Sequence, residues 1–447
     1  MSSRRLMLLV LSLVLLLFAC NFLEESLSDQ EKLATPVAGT MTAQAPEDIE
    51  STTAPSSPEP PPPTTEPLPP APGLRIVYTD GGNIWMIEES GPPKKVTSSG
   101  YAETVLISSD GAKIAFTRRT TPENLAELRA VKADGSGETV LLSIDDMKAL
   151  YPSTLESKGF EIGQMSFLPG SHALYFNTFE AFETVGLAMT KDLLRINTNT
   201  GDLTRILPPD SGGNFVISPD GNHIVVVRPD SINMVGPGGG GLVTDVVTYL
   251  PVMTYSEFQY YAQPVWAQDS SAAGVAIPND DPLGVSPSGF IWRMNNSGSS
   301  STHVGTILGG FYFSQVFSSS TISPNLNRLA FIRDTATPNN LNLFLANADG
   351  TGETLYATGE ISWVGWAPDG IHFVYRLGGP MNLQLGTDGG ADVPLATGIN
   401  LRWIDANSYL YLSGGLGSWT LMMGELGMAS TSLVSPSGDF ISYDFTQ

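Results

Sequence analysis

The stretch that decides the fold is "SPDGNHIVVVR", residues 218–228. Its residue types suit a type I turn, with Ser218 first, Pro219 second with its φ angle already fixed, and Gly221 fourth. The residues between His223 and the end of the stretch are consecutively apolar and do not alternate with polar ones. Since such a run is covered on both faces, the stretch predicts a tight turn that leads into a buried β-strand.

Variants of this turn phrase recur along the chain. The clearest are "SSDGAKIAFTR" (108–118), "SPNLNRLAFIR" (323–333), "APDGIHFVYR" (367–376) and "SPSGDFISYD" (435–444). A large apolar residue stands directly before each copy, degenerate copies included: Ile107, Phe167, Ile217, Trp266, Ile322, Trp366, Trp403 and Val434. We therefore expect each copy to join two strands of a repeated unit.

A second signature follows most copies after a variable loop. It is a strand, a Gly-containing turn and another strand, as in "LRAVKADGSGETVLLS" (128–143) and "LNLFLANADGTGETLYATG" (341–359). Asp-Gly pairs between short strands indicate β-hairpins. The repeated unit is thus two hairpins, or four antiparallel strands, at a period of roughly 40 to 55 residues, which is typical of a propeller blade.

One such blade cannot cover both of its faces, whereas blades stacked in a circle cover all of them. We therefore predict an all-β propeller over residues 73–447, with eight blades if every degenerate copy counts and seven as the alternative. The first strands, "LRIVYTD" (74–80) and "NIWMIEE" (83–89), lack a turn phrase, and the last phrase, "SLVSPSGDFISYDF" (432–445), lacks the later strands. We expect these terminal segments to share one blade and so to close the ring.

The turn phrase, the strand after it and the later Gly turn resemble the TolB-type, WD-repeat-like propeller. The resemblance covers nearly all of residues 73–447 and is cleanest around Ser108, Ser218, Ser323 and Ala367. Related blades occur in the propellers of prolyl-oligopeptidase-like and tricorn-like peptidases. The resemblance implies the fold, but a fold hosts many functions.

The N-terminus, "MSSRRLMLLVLSLVLLLFAC" (1–20), has the charged-then-apolar order of an export signal. Leu17 to Cys20 resembles the lipobox of bacterial lipoproteins, which implies cleavage before Cys20 and a lipid on its thiol. The alternative is that Cys20 is a chance residue in an ordinary signal peptide or in an uncleaved anchor. Because Cys20 is the only cysteine, the chain can form no internal disulfide.

Residues 21–72 are rich in Pro, Ser, Thr and Glu, and offer too little apolar surface to repay the entropy of ordering. We predict a disordered tether that holds the propeller off a cell membrane or outer membrane, on the extracytoplasmic side. The net charge of −23 argues against nucleic acid as a partner, since phosphate-binding surfaces need clustered Lys and Arg. We expect a monomer.

The sequence offers little catalytic or metal-binding chemistry. The G-x-S-x-G motif that marks the catalytic domain of propeller peptidases does not occur. His172, His223 and His372 occupy one slot in three different blades, and His303 lies apart from them, so we expect no shared metal ion. The Asp-Gly turns at Asp134, Asp349 and Asp388 lack the dense pattern of a calcium loop. We therefore predict no cofactor, and we interpret "PDSGG" (209–213) as a turn between blades.

One set of basic residues shares a repeat slot, because each member ends the strand that follows a turn phrase: Arg118, Arg228, Arg333 and Arg376. They should lie on one rim of the ring, opposite the turn phrases. Under one interpretation they pair with nearby acidic side chains or with carbonyls at strand ends. Under the other, they form a positive collar that binds a carboxylate, a phosphate or an acidic loop of a partner.

Aromatic residues crowd the insertion at 236–263: Tyr249, Tyr255, Phe258, Tyr260 and Tyr261. They either pack between blades or stack on a sugar or peptide. The leading hypothesis is a binding or scaffold module for an envelope protein or glycan. The alternatives are a lyase or hydrolase that uses Asp280, Asp281 or Asp334 at the channel mouth, and a structural envelope component analogous to TolB.

Overall fold

The computed structural model describes residues 73–89, 91–121, 124–152, 157–182, 189–254, 258–279, 288–308 and 320–447. The predicted signal segment, Cys20 and the predicted tether lie outside these residues. In the described part the structure is a β-propeller of eight antiparallel blades, which confirms the predicted fold and the larger blade count. No helix in the described part is long and apolar enough to span a membrane.

Blades 2, 3 and 4 each consist of four strands that are consecutive in the chain. Blade 1 combines three strands from the start of the propeller with one strand from the C-terminus. Blade 1 contains β1 (Arg75–Asp80), β2 (Asn83–Glu88), β3 (Lys94–Lys95) and β33 (Tyr443–Thr446). Blade 2 contains β4 (Ala102–Ile107), β5 (Lys113–Arg118), β6 (Glu127–Lys132) and β7 (Thr139–Leu142), and is followed by a short helix, α1 (Ile144–Ala149). Blade 3 contains β8 (Ser157–Phe167), β9 (Ala173–Phe182), β10 (Leu193–Asn197) and β11 (Leu203–Leu207). Blade 4 contains β12 (Asn214–Ile217), β13 (Ile224–Val227), β14 (Ser231–Val235) and β15 (Val243–Thr248).

A small additional hairpin, β16 (Met253–Thr254) and β17 (Phe258–Gln259), separates blades 4 and 5. Blade 5 contains β18 (Val265–Trp266), β19 (Ala272–Pro278), β20 (Ser288–Asn295) and β21 (Ser301–Leu308). Blade 6 contains β22 (Arg328–Asp334), β23 (Leu341–Asn347) and β24 (Thr354–Gly359), with a bridge from Ile322 to Leu329 at its inner edge. Blade 7 contains β25 (Ile361–Trp366), β26 (His372–Leu377), β27 (Asn382–Thr387) and β28 (Val393–Thr397). Blade 8 contains β29 (Ile399–Trp403), β30 (Ser408–Ser413), β31 (Thr420–Glu425) and β32 (Thr431–Val434).

The turn phrase builds the hairpin between the inner strand of a blade and its second strand. In blade 4 the Ser218 hydroxyl donates to the Asp220 carboxylate (2.5 Å) and accepts from the His223 amide (3.0 Å). The Gly221 amide donates to the Ser218 carbonyl (2.9 Å), and Gly221 has a φ of 71°, in the left-handed region that favours glycine. The phrase recurs because each blade needs this type I turn with a left-handed residue after it.

The closing strand β33 pairs with β1 in antiparallel register, from Tyr78 opposite Tyr443 to Arg75 opposite Thr446. This confirms that the terminal segments share a blade. The last turn phrase differs from the others, because Val434 lies in the outer strand of blade 8 and pairs with Leu421. Residues 435–442 therefore connect blade 8 to the inner strand of blade 1, and the chain ends meet between the first and second strands of that blade.

Each blade buries both faces against its neighbours. Between blades 1 and 2, for example, Val77 and Met86 of one sheet pack with Val105 and Phe116 of the next. On its other face, blade 2 packs through Ala115 and similar residues against blade 3. This explains why the second strands are apolar on consecutive residues, since apolar burial on both sides is the main stabilising contribution to such stacking.

Candidate functional site

The four arginines of the shared slot lie at the same end of the second strands of blades 2, 4, 6 and 7: Arg118 in β5, Arg228 directly after β13, Arg333 in β22 and Arg376 in β26. At this end the second strand of a blade pairs with the beginning of the inner strand. In blade 2, for example, Arg118 is opposite Ala102. We call this edge of the ring the arginine rim. The turn phrases lie on the other edge.

Two of these arginines are held by local carboxylates and carbonyls. Arg118 donates to Glu127 Oε1 (2.7 Å) and to the carbonyls of Gly100 and Ser99. Arg333 binds both oxygens of the Glu353 carboxylate (2.8 and 2.7 Å) and the Leu308 carbonyl. Such bidentate, charge-assisted contacts already use most of the donors of a guanidinium.

The third arginine, Arg228, is also partnered. Its Nε lies 3.4 Å from Asp230 Oδ1, and its Nη1 donates to the backbone carbonyl of Asp210. The Arg228 carbonyl in turn accepts a hydrogen bond from the hydroxyl of Tyr249. For these three residues, therefore, the geometry matches local pairing.

Arg376 differs from the other three. Its only hydrogen bond within the described residues is a long one from Nη1 to Ser362 Oγ (3.4 Å), and its buried Nε has no acceptor. Burial lowers the pKa of its guanidinium. Arg376 is opposite Ser362 on one side and Leu383 on the other, and Leu383 packs with Leu401 of blade 8. Because opposed residues share a sheet face, the Arg376 side chain faces the groove between blades 7 and 8.

The arginine rim also contains a cleft of about 450 Å³, formed by blades 3 and 4 and the segment before blade 5. Its polar lining consists of amide and hydroxyl groups: Gln164, Thr190, Asn214, Gln259, Tyr261 and Gln263. Phe179, Phe215 and Val227 are among its apolar contacts. None of the described residues that line the cleft is charged. A volume in this range is typical of small-molecule sites.

Hydrogen bonds between blades fix the walls of this cleft. The Gln164 amide donates to the Phe215 carbonyl (2.7 Å) and accepts from the Phe215 amide (3.0 Å), which ties blade 3 to blade 4. Thr190 donates to Asn214 Oδ1 (2.8 Å). A Cβ at Gly163 would lie 2.7 Å from Asn177 Oδ1 and 2.9 Å from Thr190 Cγ2, so a larger residue there would displace these side chains. The cleft is therefore rigid at its base.

A buried carboxylate supports the same region. Asp192 accepts hydrogen bonds from the Tyr151 hydroxyl (2.7 Å) and from the amide and hydroxyl of Thr178 (2.6 and 2.7 Å). Burial raises its pKa above the ordinary value. The Gly213 amide donates to the Asp192 carbonyl, and a Cβ at Gly212 would lie 2.1 Å from the Asp192 carbonyl carbon. Residues 209–213 are thus the interblade turn that the sequence predicts.

Several of the histidine and aspartate side chains that the sequence offers as metal ligands have local partners in or beside the turns. His172 contacts Asp110 (3.0 Å) and His372 contacts Asp369 (2.6 Å), each beside a turn phrase. The carboxylates of Asp134 and Asp349 accept amides two residues ahead, at 2.8 and 2.9 Å, and Asp388 pairs with Arg328 (2.8 Å). In the described ranges, no group of three or more His, Cys, Asp or Glu residues could hold a metal ion.

Some aromatic residues of the insertion pack against each other, and another lines the cleft. Tyr249 and the buried Tyr260 pack together, with ring centroids 6.4 Å apart, whereas Tyr261 lines the cleft and donates to the Thr190 carbonyl (3.2 Å). Tyr255, Asp280 and Asp281 lie outside the described residues, and so does the side chain of Phe258. Asp334 is exposed at the end of β22.

No protein-family model matches the chain, and a search of curated proteins finds no match. Similar solved structures include an oligogalacturonate lyase in complex with manganese, 13% identical over 79% of this chain and 96% of that one, with a TM-score of 0.44. TolB from Acinetobacter baumannii is 14% identical over 62% and 61%, with a TM-score of 0.31. Prolyl oligopeptidase B from Galerina marginata is 9% identical over 76% and 51%, with a TM-score of 0.46. At these values the likeness assigns no activity or ligand, and the fold assignment depends on the strand pairing itself.

Proposed function

We propose that the chain is a lipid-anchored, extracytoplasmic binding module of a bacterial envelope, whose arginine rim receives an acidic group of a partner. In this proposal Cys20 carries the lipid and residues 21–72 form the tether. The observation that supports it most is the guanidinium of Arg376, which lacks a carboxylate partner within the described residues although its counterparts have one.

An unpaired, partly buried charge is energetically costly. A guanidinium stays protonated in proteins and has five N–H donors. Arg376 is partly desolvated, and Ser362 offers it a single long contact. A carboxylate or phosphate from a partner would satisfy these donors in a partly water-excluded groove, where charge-assisted bonds are strongest. Arg118, Arg228 and Arg333 gain less from a partner because their charges are already compensated.

The test is capture of envelope proteins by the purified full-length chain and by two variants. Arg376→Gln removes the free guanidinium, and Arg228→Gln, in the same slot, removes a paired one. We expect Arg376→Gln to capture at least tenfold less of the partner than wild type does, and Arg228→Gln to capture as much as wild type. The two variants should have similar melting temperatures. Equal capture by wild type and Arg376→Gln would reject the site. Products released from polysaccharides or peptides by the purified chain would favour the enzymatic alternative.

The proposed anchor has its own test. Growth of an expressing strain with labelled palmitate should label the wild-type chain and not Cys20→Ser, and Cys20→Ser should partition into the soluble fraction. A second variant, Ser12→Ala, lies in the apolar run and should keep the label. Equal labelling of wild type and Cys20→Ser would contradict the lipid assignment.

A further inference from the structure

We propose that the cleft between blades 3, 4 and 5 is a binding site for an uncharged oligosaccharide. This site is separate from Arg376, which lies in blade 7, and does not depend on the function proposed above. The juxtaposition that supports it is a cleft of about 450 Å³ whose walls, among the residues that the structure describes, carry amides, hydroxyls and aromatic rings and no charged side chain.

The described lining of the cleft carries no charge. The chain has 45 acidic and 22 basic residues, yet none of the charged side chains in the described ranges lines the cleft. A charged ligand would lose its hydration there without gaining a counterion. Amides both donate and accept hydrogen bonds, as sugar hydroxyls do. The lining is therefore suited to a neutral, hydroxyl-rich ligand.

Several polar groups in the lining keep hydrogen-bonding capacity that no described residue uses. Gln259 uses its amide nitrogen on the carbonyls of Val252 and Tyr260, and Gln263 uses its nitrogen on the Tyr261 carbonyl. Neither side-chain oxygen accepts a bond from a described residue. The Asn214 oxygen accepts from two side chains, while its amide nitrogen donates to none of the described groups. The cleft therefore offers two acceptors and one donor in fixed positions.

Aromatic side chains also line the cleft. Phe179 and Tyr261 are both half-buried at the cleft, and the Tyr261 hydroxyl is fixed by its bond to the Thr190 carbonyl. An anchored aromatic ring offers a large apolar face at low cost in conformational entropy, and can cover the C–H face of a sugar ring. Rings and amides held in place before binding reduce the ordering cost that a ligand must overcome.

A peptide fits the cleft less well. Peptides usually add to a sheet through free backbone groups at an edge strand. Here Gln164 occupies both the amide and the carbonyl of Phe215, so the edge of β12 that lines the cleft is already closed to strand addition. A sugar chain needs no such edge, which is why we favour a glycan.

The experiment is calorimetric titration of the full-length chain with neutral tetrasaccharides, namely cellotetraose, chitotetraose, maltotetraose and mannotetraose. Tetragalacturonate serves as the charged comparison and tetra-alanine amide as the peptide. We expect at least one neutral sugar to bind at least tenfold more tightly than both comparisons. Failure of all four sugars to bind at millimolar concentration would overturn the proposal, as would preferential binding of the peptide or of the charged sugar.

Three variants locate the site. Tyr261→Ala and Gln263→Leu should each weaken sugar binding at least tenfold. Gln263→Leu removes no hydrogen bond that joins two blades. Arg376→Gln, on a distant blade of the same rim, should leave sugar binding unchanged while it abolishes capture of the acidic partner. Undiminished sugar binding by folded Gln263→Leu would reject this cleft. Loss of sugar binding in Arg376→Gln would also contradict the separation of the two sites.

Discussion

The ion pair between Arg402 and Asp444 should hold the ring closed. Asp444 lies in the closing strand β33 with a side chain that is 8% exposed, and Arg402 Nη2 in blade 8 is 2.6 Å from its Oδ1. The other carboxylate oxygen of Asp444, Oδ2, accepts a hydrogen bond from the Ile107 amide of blade 2 (2.8 Å). This one carboxylate therefore joins the last, first and second blades.

The perturbation is Arg402→Met, which keeps much of the side-chain volume and removes the charge. Loss of one partner of a fully buried pair costs about 3–5 kcal/mol. Because the Arg402 side chain is 43% exposed, solvent screens the pair, and we expect a loss of about 2 kcal/mol in the free energy of unfolding. For a cooperative unit of this size that loss corresponds to a fall in Tm of about 2–3 °C.

The loss of unfolding free energy caused by Arg402→Met should depend on pH. Burial raises the pKa of Asp444, while the charge of Arg402 lowers it. Since the folded protein then binds the proton more tightly than the unfolded chain, the free energy of unfolding falls as pH rises between the ordinary pKa and the raised one. Removing Arg402 raises the folded pKa further. The loss caused by Arg402→Met should therefore be largest at pH values above that raised pKa and shrink as pH falls through it.

The assay is urea unfolding of wild type, Arg402→Met, Asp444→Asn and the double variant at several pH values. We expect Asp444→Asn to restore stability in the Arg402→Met background at neutral pH, because an amide needs no counterion. A cost for Arg402→Met that is unchanged between neutral and acidic pH, or a double variant no more stable than Arg402→Met, would refute the reasoning.

Three further changes follow from single contacts. Gly221→Ala should lower the free energy of unfolding by about 1 kcal/mol because of its left-handed φ, whereas Gly238→Ala, with open space around it, should be nearly neutral in the same urea assay. Asp192→Ala should cost about 3 kcal/mol, since it leaves the Tyr151 hydroxyl and the buried Thr178 donors unpaired; an equal cost for the exposed Asp202→Ala would contradict this. Gln164→Leu should cost about 1–2 kcal/mol and weaken sugar binding, because it frees both backbone groups of Phe215; unchanged calorimetric titrations would count against a rigid cleft.

The fold could be predicted because its key feature is local. The hydrogen bonds that form the Ser218 turn all lie within the phrase itself, so the residue types determine the geometry. The copy after Val434 shows the limit of this argument. Its residue types are similar, but Gly438 has a φ of 146° instead of the 71° of Gly221, and Ser437 donates from its amide and hydroxyl to Asp80 of blade 1. There the phrase connects two blades, and Val434 pairs with Leu421 in the outer part of blade 8.

The candidate site was predictable only in part. The register of the repeat placed the four arginines on one rim, but their partners come from other strands and loops, such as Leu308 and Glu353 for Arg333. Of the residues that line the cleft, only Tyr261 could be singled out from the sequence. Gln164 and Gln263 lie in segments without a repeat signature, and tertiary packing alone brings them together.

The most direct test of the ring is a cysteine cross-link between its two ends. In a Cys20→Ser background, Ile76→Cys and Phe445→Cys would lie opposite each other in β1 and β33. Opposed residues of antiparallel strands have Cα atoms about 4.5–5.5 Å apart, within reach of a disulfide. We predict an intramolecular disulfide in the monomer that raises Tm. Free thiols after oxidation, or only intermolecular links, would contradict a ring closed by β33.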